Sequence, residues 1–334
     1  MTAAAHGRRR ALAALALSLL SALFFTQTYL LNRAIATEGG YWAWTASLRY
    51  LITLPMLLAL MPWQGGTAPA MRAIRAHPRA WLRCVAIGFV LFYLTLSYAA
   101  DHGPSWLVAG GFQFTVVAGM LCAPFLYRDA RRRVPRAALG VGFVVLAGVL
   151  LMQFGYADGL DRSGLVLLLC VLAAATLYPL GNRLLLLHLE RTGEELNATQ
   201  RVFGMTLASQ PLWLCVVVFA WWQAGVPAWS QVLLAGGVAL SAGVVATILF
   251  FQATGMVRDN PAALGATEAM QAAELLITTV LGVALLHEAW PQGLALWGAA
   301  LVILGIAGFA WVVARPGRDV VAPDPRVLRT DRGA

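Results

Sequence analysis

Ten predominantly apolar stretches follow one another along this chain, at residues 11–31, 45–62, 82–99, 106–126, 135–154, 164–187, 199–222, 231–257, 262–286 and 292–313. About 20 apolar residues in a helix cross the ~30 Å hydrocarbon core of a bilayer, so each run reads as a transmembrane helix. The rest of the composition agrees. Of 334 residues 60% are hydrophobic and 12% charged, with a mean hydropathy of +0.72, whereas a soluble domain carries about 25% charged residues. The expected fold is an all-α polytopic membrane protein, not a globular enzyme built around one core.

The net charge of +9 does not point to nucleic acid, because the basic residues sit between apolar runs. All 24 are arginine, which carries no functional inference. Arg8, Arg9 and Arg10 precede the first run; Arg72, Arg75 and Arg79 lie between the second and third. Arg128, Arg131, Arg132, Arg133 and Arg136 lie between the fourth and fifth, and Arg315, Arg318, Arg326, Arg329 and Arg332 follow the last. The opposite connectors hold few. The positive-inside rule then predicts an inner-membrane protein with both termini in the cytoplasm. Tyr41, Trp42, Trp44, Trp106, Trp221, Trp222 and Trp229 fit an aromatic belt at the outer surface. The first run is too long for a signal-peptide core and reads as the first span. The tail after Arg315 is polar and expected to be disordered. Cys84, Cys122, Cys170 and Cys215 fall in apolar runs and read as packing residues.

An internal repeat is visible. Asn32-Arg33 at the end of the first run matches Asn182-Arg183 near the end of the sixth. Arg49 matches Arg201, Pro104 matches Pro261, Phe112-Gln113 matches Met270-Gln271, and Pro135 matches Pro291. The order is kept and the offset is nearly constant. With five spans in each, the two halves must face opposite ways across the membrane, as in secondary transporters. The expected organisation is a cytoplasmic N-terminus (1–10), a first five-helix repeat (11–154), a connector (155–163), a second five-helix repeat (164–313) and a cytoplasmic tail (314–334).

Carboxylates inside a span are costly and usually face the bundle interior. Glu268, Gln271 and Glu274, three residues apart in turn, are expected to line one broad side of the ninth helix. Counted from Pro261, Glu268 lies about 9 Å deep and Glu274 about 18 Å deep, near mid-membrane. Glu268 therefore has cationic candidates at its own level, Arg183 and Arg201, and is expected to pair with one of them. Glu274 has no cation evident at its level, and a proton-coupling or substrate-binding role is expected there. Gln113 and Gln271, equivalent in the repeat, are candidate cavity-lining hydrogen-bond groups. Tyr178, beside the helix-interrupting Pro179, could present its ring to an organic cation. Arg33 and Arg49 are placed near the outer face and Arg183 and Arg201 near the inner. They are read either as helix-end pairs, with Glu38, Glu190, Glu194 or Glu195, or as two symmetry-related gates. Asn32 and Asn182 are expected to bond backbone or neighbouring helices.

Several stretches together carry a family resemblance: Leu31-Asn32-Arg33, Glu38-Gly39-Gly40-Tyr41-Trp42, Ser47-Leu48-Arg49 and Gly103-Pro104-Ser105-Trp106-Leu107-Val108-Ala109-Gly110, then Tyr178-Pro179-Leu180-Gly181-Asn182-Arg183, Gln200-Arg201-Val202, and Glu268-Ala269-Met270-Gln271 with Glu274. On these, the chain resembles the drug/metabolite transporter superfamily, in its ten-helix EamA-like group, nearest the multidrug resistance efflux transporter branch. The resemblance runs from about Leu12 to Val313. It implies a secondary carrier that exports small organic molecules, drug-like or cationic, often coupled to protons; amino acids or related metabolites are the alternative cargo. The small four-helix exporters of that superfamily keep a glutamate in their first helix, and this chain has none there.

Enzyme signatures are not found. The chain has no G-x-x-x-x-G-K-[ST] phosphate loop, no H-E-x-x-H and no Cys/His set with zinc spacing. A membrane-embedded lipid-modifying enzyme would call for an acidic D-D-x-x-D-like cluster, which is also missing. The expected partners are a small organic substrate, protons and the lipid bilayer, with no nucleic acid, metal or cofactor. The sequence carries no signal of oligomeric state.

Overall fold

The structure is a computed structural model of the chain, and it describes residues 3–128, 136–156, 162–257 and 270–314. Among these residues every regular element is helical. Six helices are long and apolar enough to cross a membrane, over residues 11–37, 42–64, 78–102, 162–192, 198–224 and 229–250. Shorter apolar helices cover 105–119, 140–156, 273–286 and 293–308. Large apolar side chains on the outside, among them Phe125, Phe143, Leu169, Val218 and Trp297, would form an aggregating surface in water but suit lipid.

The first element, α1 (Ala3–Thr37), turns at Gly39 into α2 (Trp42–Leu60). We call this the near end of the molecule. A 3₁₀ turn and the short helices α3 (Ala68–Ala76) and α4 (Pro78–Val85) lie at the far end. The chain returns through a π-helical segment, Ala86–Leu91, into α5 (Phe92–His102). Then α6 (Ser105–Phe112) breaks at Gln113-Phe114 and resumes as α7 (Thr115–Leu121) and α8 (Ala123–Leu126). After α9 (Arg136–Tyr156) come α10 (Arg162–Thr192) and α11 (Ala198–Ala224). The next column is α12 (Trp229–Val238), a second π-helical segment (Ala239–Ala246) and α13 (Thr247–Val257). A 3₁₀ turn at Met270–Ala272 leads into α14 (Ala273–Leu286), and α15 (Gly293–Ala314) closes the described chain.

Pro55, Pro179 and Pro211 lie inside α2, α10 and α11. Each removes one backbone donor, which a helix embedded among others tolerates. At the start of α11, Asn197 accepts from the Gln200 amide (2.8 Å) while its own amide donates to Gln200 Oε1 (3.1 Å), a complete capping box. The same two side chains reach back to the carbonyls of Gln64, Gly65 and Gly66 and tie the far-end turn to α11.

Helix α1 runs through the middle of the bundle, against α13, α14, α12 and α5. Helices α9 and α15 pair along their length. Glycines allow this approach: a Cβ on Gly148 would stand 2.7 Å from the Gly298 carbonyl oxygen, and one on Gly305 2.6 Å from a Val145 methyl. Gly88, in the first π-helical segment, crosses Gly181 of α10 backbone to backbone. The four cysteines are free thiols.

Candidate functional site

The centre of the bundle is built from α1, α2, α5, α6, α10 and α14. Glu274 lies in the first turn of α14, only 6% exposed. The hydroxyl of Tyr29 on α1 donates to its Oε2 at 3.2 Å, and no described cation forms an ion pair with it. Tyr29 was not among the residues singled out from sequence. A tyrosine 245 positions away gives no local signal.

One turn further along α1, Asn32 exchanges hydrogen bonds with the Tyr93 hydroxyl, at 3.0 and 3.2 Å. The Tyr93 ring lies under Arg49, with the guanidinium carbon 4.1 Å from its centroid, and the Tyr50 ring is 5.4 Å away. Arg49, expected near the outer face, is 9% exposed and rests against these rings, whose faces attract a guanidinium. No described carboxylate pairs with it, and its Nη1 is buried without a hydrogen-bond partner.

Tyr29 and Asn32 are three residues apart, so their side chains share a face of α1 about 4.5 Å apart along its axis. Through them the two charged groups are neighbouring features of one centre. Rings bridge the interval: Tyr29–Phe112 (6.3 Å between centroids), Phe112–Tyr178 (6.0 Å), Tyr178–Phe92 (4.9 Å) and Phe92–Tyr93 (5.8 Å). Tyr178 stands just before Pro179, where the structure places it among these rings.

Gln113 caps α6 at its break and is 5% exposed. Gln271 lies in the 3₁₀ turn that leads directly into α14. Its amide donates to the Ser18 carbonyl (3.3 Å) and hydroxyl (3.2 Å) on α1. Glu268 falls outside the described residues, and its expected pairing goes with it.

The arginines at the two ends differ. At the near end Arg33 Nε lies 3.7 Å from Glu288 Oε1, and its Nη1 donates to the carbonyls of Ala100 and Asp101. Glu288 also accepts from the Ser105 amide and hydroxyl, both at 2.7 Å. This clasp joins α1, α6 and the turn after α14. The sequence had offered Glu38, Glu190, Glu194 or Glu195 as partners. Glu288 was not among them, and no pattern marks it. Toward the far end Arg183 donates to the Gly119 carbonyl on α7, where a Cβ on residue 119 would stand 3.0 Å from the guanidinium. Asn182 donates to the Tyr178 carbonyl at 3.0 Å, the backbone bond expected of it. Arg201 sits in the first turn of α11, half-buried.

A bundle whose described elements are all helical, with a buried carboxylate and a buried guanidinium at its centre and helices broken beside them, defines a polytopic membrane protein with a polar core. The family described as "Putative multidrug resistance efflux transporter" (EmrE) matches residues 12–315, and the chain belongs to that family of membrane transporters. It is 40% identical over 303 residues to "Uncharacterized protein YjlA" of Bacillus subtilis (strain 168), covering 88% of this chain and 93% of that one. It is 36% identical over 278 residues to "Uncharacterized 42.1 kDa protein in intracellular alkaline protease 3'region" of Shouchella clausii, covering 81% and 73%. A solved structure described as "Crystal structure of protein" shares the fold, with a TM-score of 0.56 at 17% identity over 90% of this chain and 97% of that one.

Proposed function

We propose that the protein is a secondary active carrier, not an enzyme, that exports small organic molecules by proton antiport. In this reading ten spans form two inverted five-helix repeats, 11–154 and 164–313, joined by 155–163. Both termini, 1–10 and 314–334, face the cytoplasm from the inner membrane. Two features support the repeat. The π-helical segments begin at Ala86 and Ala239 and end at Leu91 and Ala246, at nearly the offset that separates Gln113 from Gln271. Those two glutamines in turn mark the break in α6–α7 and the 3₁₀ entry to α14.

The observation that carries the function is Glu274, a carboxylate buried in an apolar helix with a phenol as its described hydrogen-bond partner. Such a group holds a negative charge only while a polar network or a substrate compensates it, and otherwise binds a proton. Exposure to one side and then the other turns that exchange into coupling. Drug-like or cationic compounds are the cargo the family description favours. Amino acids or related metabolites are favoured instead by the buried, carboxylate-free Arg49. Arg33 with Glu288, and Arg183 with Arg201 and Glu268, are the gate groups of the two ends.

The test is paired measurement of substrate flux and internal pH in proteoliposomes. Glu274→Gln should leave a folded protein that no longer moves substrate uphill against a pH gradient. Wild-type coupling in that variant would remove Glu274 from the mechanism. Reporter fusions after Arg133 and after Arg315 should both read cytoplasmic, and a periplasmic reading at either would break the inverted repeat.

A further inference from the structure

The near end holds a pocket of about 200 Å³ that shares no residue with the centre. One wall is the turn from α1 into α2, with Glu38, Gly40, Tyr41 and Trp44. The other is the turn from α11 into α12, with Val226 and Gln231. The first wall is thus the stretch Glu38-Gly39-Gly40-Tyr41-Trp42 with the residues that follow it. Gly39 takes a φ of +81°. A Cβ on Gly40 would stand 2.9 Å from the Ile35 carbonyl oxygen and 3.1 Å from the Gln231 amide carbon. Glycine at both positions lets the turn close onto Gln231.

The polar groups of this pocket are fixed and electron-rich. Gln231 is 4% exposed, and its amide nitrogen donates to the Tyr41 carbonyl at 2.9 Å and the Thr45 hydroxyl at 3.0 Å. A carbonyl only accepts, so the nitrogen must face it and the amide oxygen is left over. That oxygen has no hydrogen-bond partner among the described residues and opens on the pocket that Gln231 lines. The Trp44 indole N–H is committed to the Gly225 carbonyl at 2.9 Å, so Trp44 offers the pocket its ring. Glu38 is exposed and has no ion pair among the described residues, while Arg33 close by in the chain is held by Glu288. Carboxylate, amide oxygen and ring faces all attract positive charge, and no arginine lines the pocket to oppose it. The amide oxygen adds a requirement: the cation must carry an N–H.

The surroundings decide what carries that cation. Val226, in the lip, is 80% exposed, and Trp222 and Trp229 on either side of it in the chain are 76% and 71% exposed. Exposed tryptophans mark the headgroup level of a bilayer, and an apolar lip beside a polar pocket suits a molecule with a tail. We propose that this pocket binds the primary ammonium of an ethanolamine phospholipid. The ammonium lies on Glu38 and Gln231 Oε1, the phosphate points outward to water, and the acyl chains pass over Val226 into the bilayer. The site goes beyond the carrier reading and does not depend on it.

The test uses the full-length protein in micelles, stripped of lipid and given equal amounts of dioleoyl phosphatidylethanolamine and dioleoyl phosphatidylcholine. Native mass spectrometry counts the lipid retained. Wild type should prefer the ethanolamine lipid at least about 10-fold, since the choline ammonium has no N–H to donate. Glu38→Gln, nearly isosteric at an exposed residue, should bring the two lipids within about 2-fold of each other. Val226→Lys sets a tethered ammonium at the lip and should also abolish the preference, by filling the pocket from within the chain. Lipid-free melting of both variants separates lost binding from lost folding. Free ethanolamine at the concentration of the lipid should not displace it.

Equal retention of the two lipids by wild type overturns the inference. So does a folded Glu38→Gln variant that keeps the preference. Displacement by free ethanolamine at equal concentration would make this a site for soluble amines and overturns the lipid assignment.

Discussion

The guanidinium of Arg49 lies 4.1 Å over the ring of Tyr93, and the hydroxyl of that ring is gripped by Asn32. One residue of α5 thus supplies a face to the cation and an edge to α1. The two roles separate by substitution. Tyr93→Phe keeps the ring and loses the Asn32 bonds, and should cost about 1 kcal/mol. Tyr93→Leu also strips the ring from a buried cation and should cost roughly 1–2 kcal/mol more. Thermal unfolding in micelles reads the difference. Equal losses in the two variants would mean that the ring does not stabilise Arg49.

The near-end clasp predicts a coupling. Glu288→Ala leaves the Ser105 amide and the Arg33 guanidinium without their carboxylate, and should destabilise by about 1–3 kcal/mol. Arg33→Met should then cost much less in the Glu288→Ala background than alone. Additive effects in the double-mutant cycle would show the 3.7 Å approach to be energetically idle.

The α9–α15 contact depends on missing side chains. Gly148→Val would drive a Cβ against the Gly298 carbonyl, 2.7 Å away, and should cost about 1–3 kcal/mol or more through overpacking. Gly140→Ala, where a Cβ meets nothing within 4 Å, is the control and should be neutral or slightly stabilising. Melting temperatures of the two variants decide it, and equal values would place the α9–α15 packing elsewhere.

Tyr29→Phe takes from Glu274 its hydrogen-bond donor and leaves the packing against Phe112 intact. It should preserve folding and change the pH profile of substrate-driven proton flux, whereas Phe112→Leu should lower flux without moving that profile. An unchanged profile in Tyr29→Phe would detach the phenol from coupling.

The helices and the residues of the centre differ in how far the sequence exposes them. Apolar runs locate helices because the bilayer penalises anything else, and Glu274 stood out because a carboxylate there is costly. The partners were another matter. Tyr29 meets Glu274, and Arg49 turns onto Tyr93, through packing of separate helices, which no spacing along one helix encodes. Nothing in the sequence around Arg49 marks the rings that α5 brings alongside it. Glu288 lies in the connector after α14, and only the fold brings that connector to Ser105. The break at Gln113 and the 3₁₀ turn at Gln271 were legible only as a match of Phe112-Gln113 with Met270-Gln271, without their geometry.

The π-helical segments at Ala86–Leu91 and Ala239–Ala246 fit one additional residue into a turn. Beyond each, the chain is out of step by roughly 100° with the helical wheel that fits the part before it. A single wheel drawn over residues 78–102 or 229–257 therefore assigns the wrong sides to half its positions. Cysteine-accessibility scans of these two columns need two wheels each, joined at Gly88 and at Gly243. A phase jump at those joints in the labelling pattern would be the visible mark of the inserted residue.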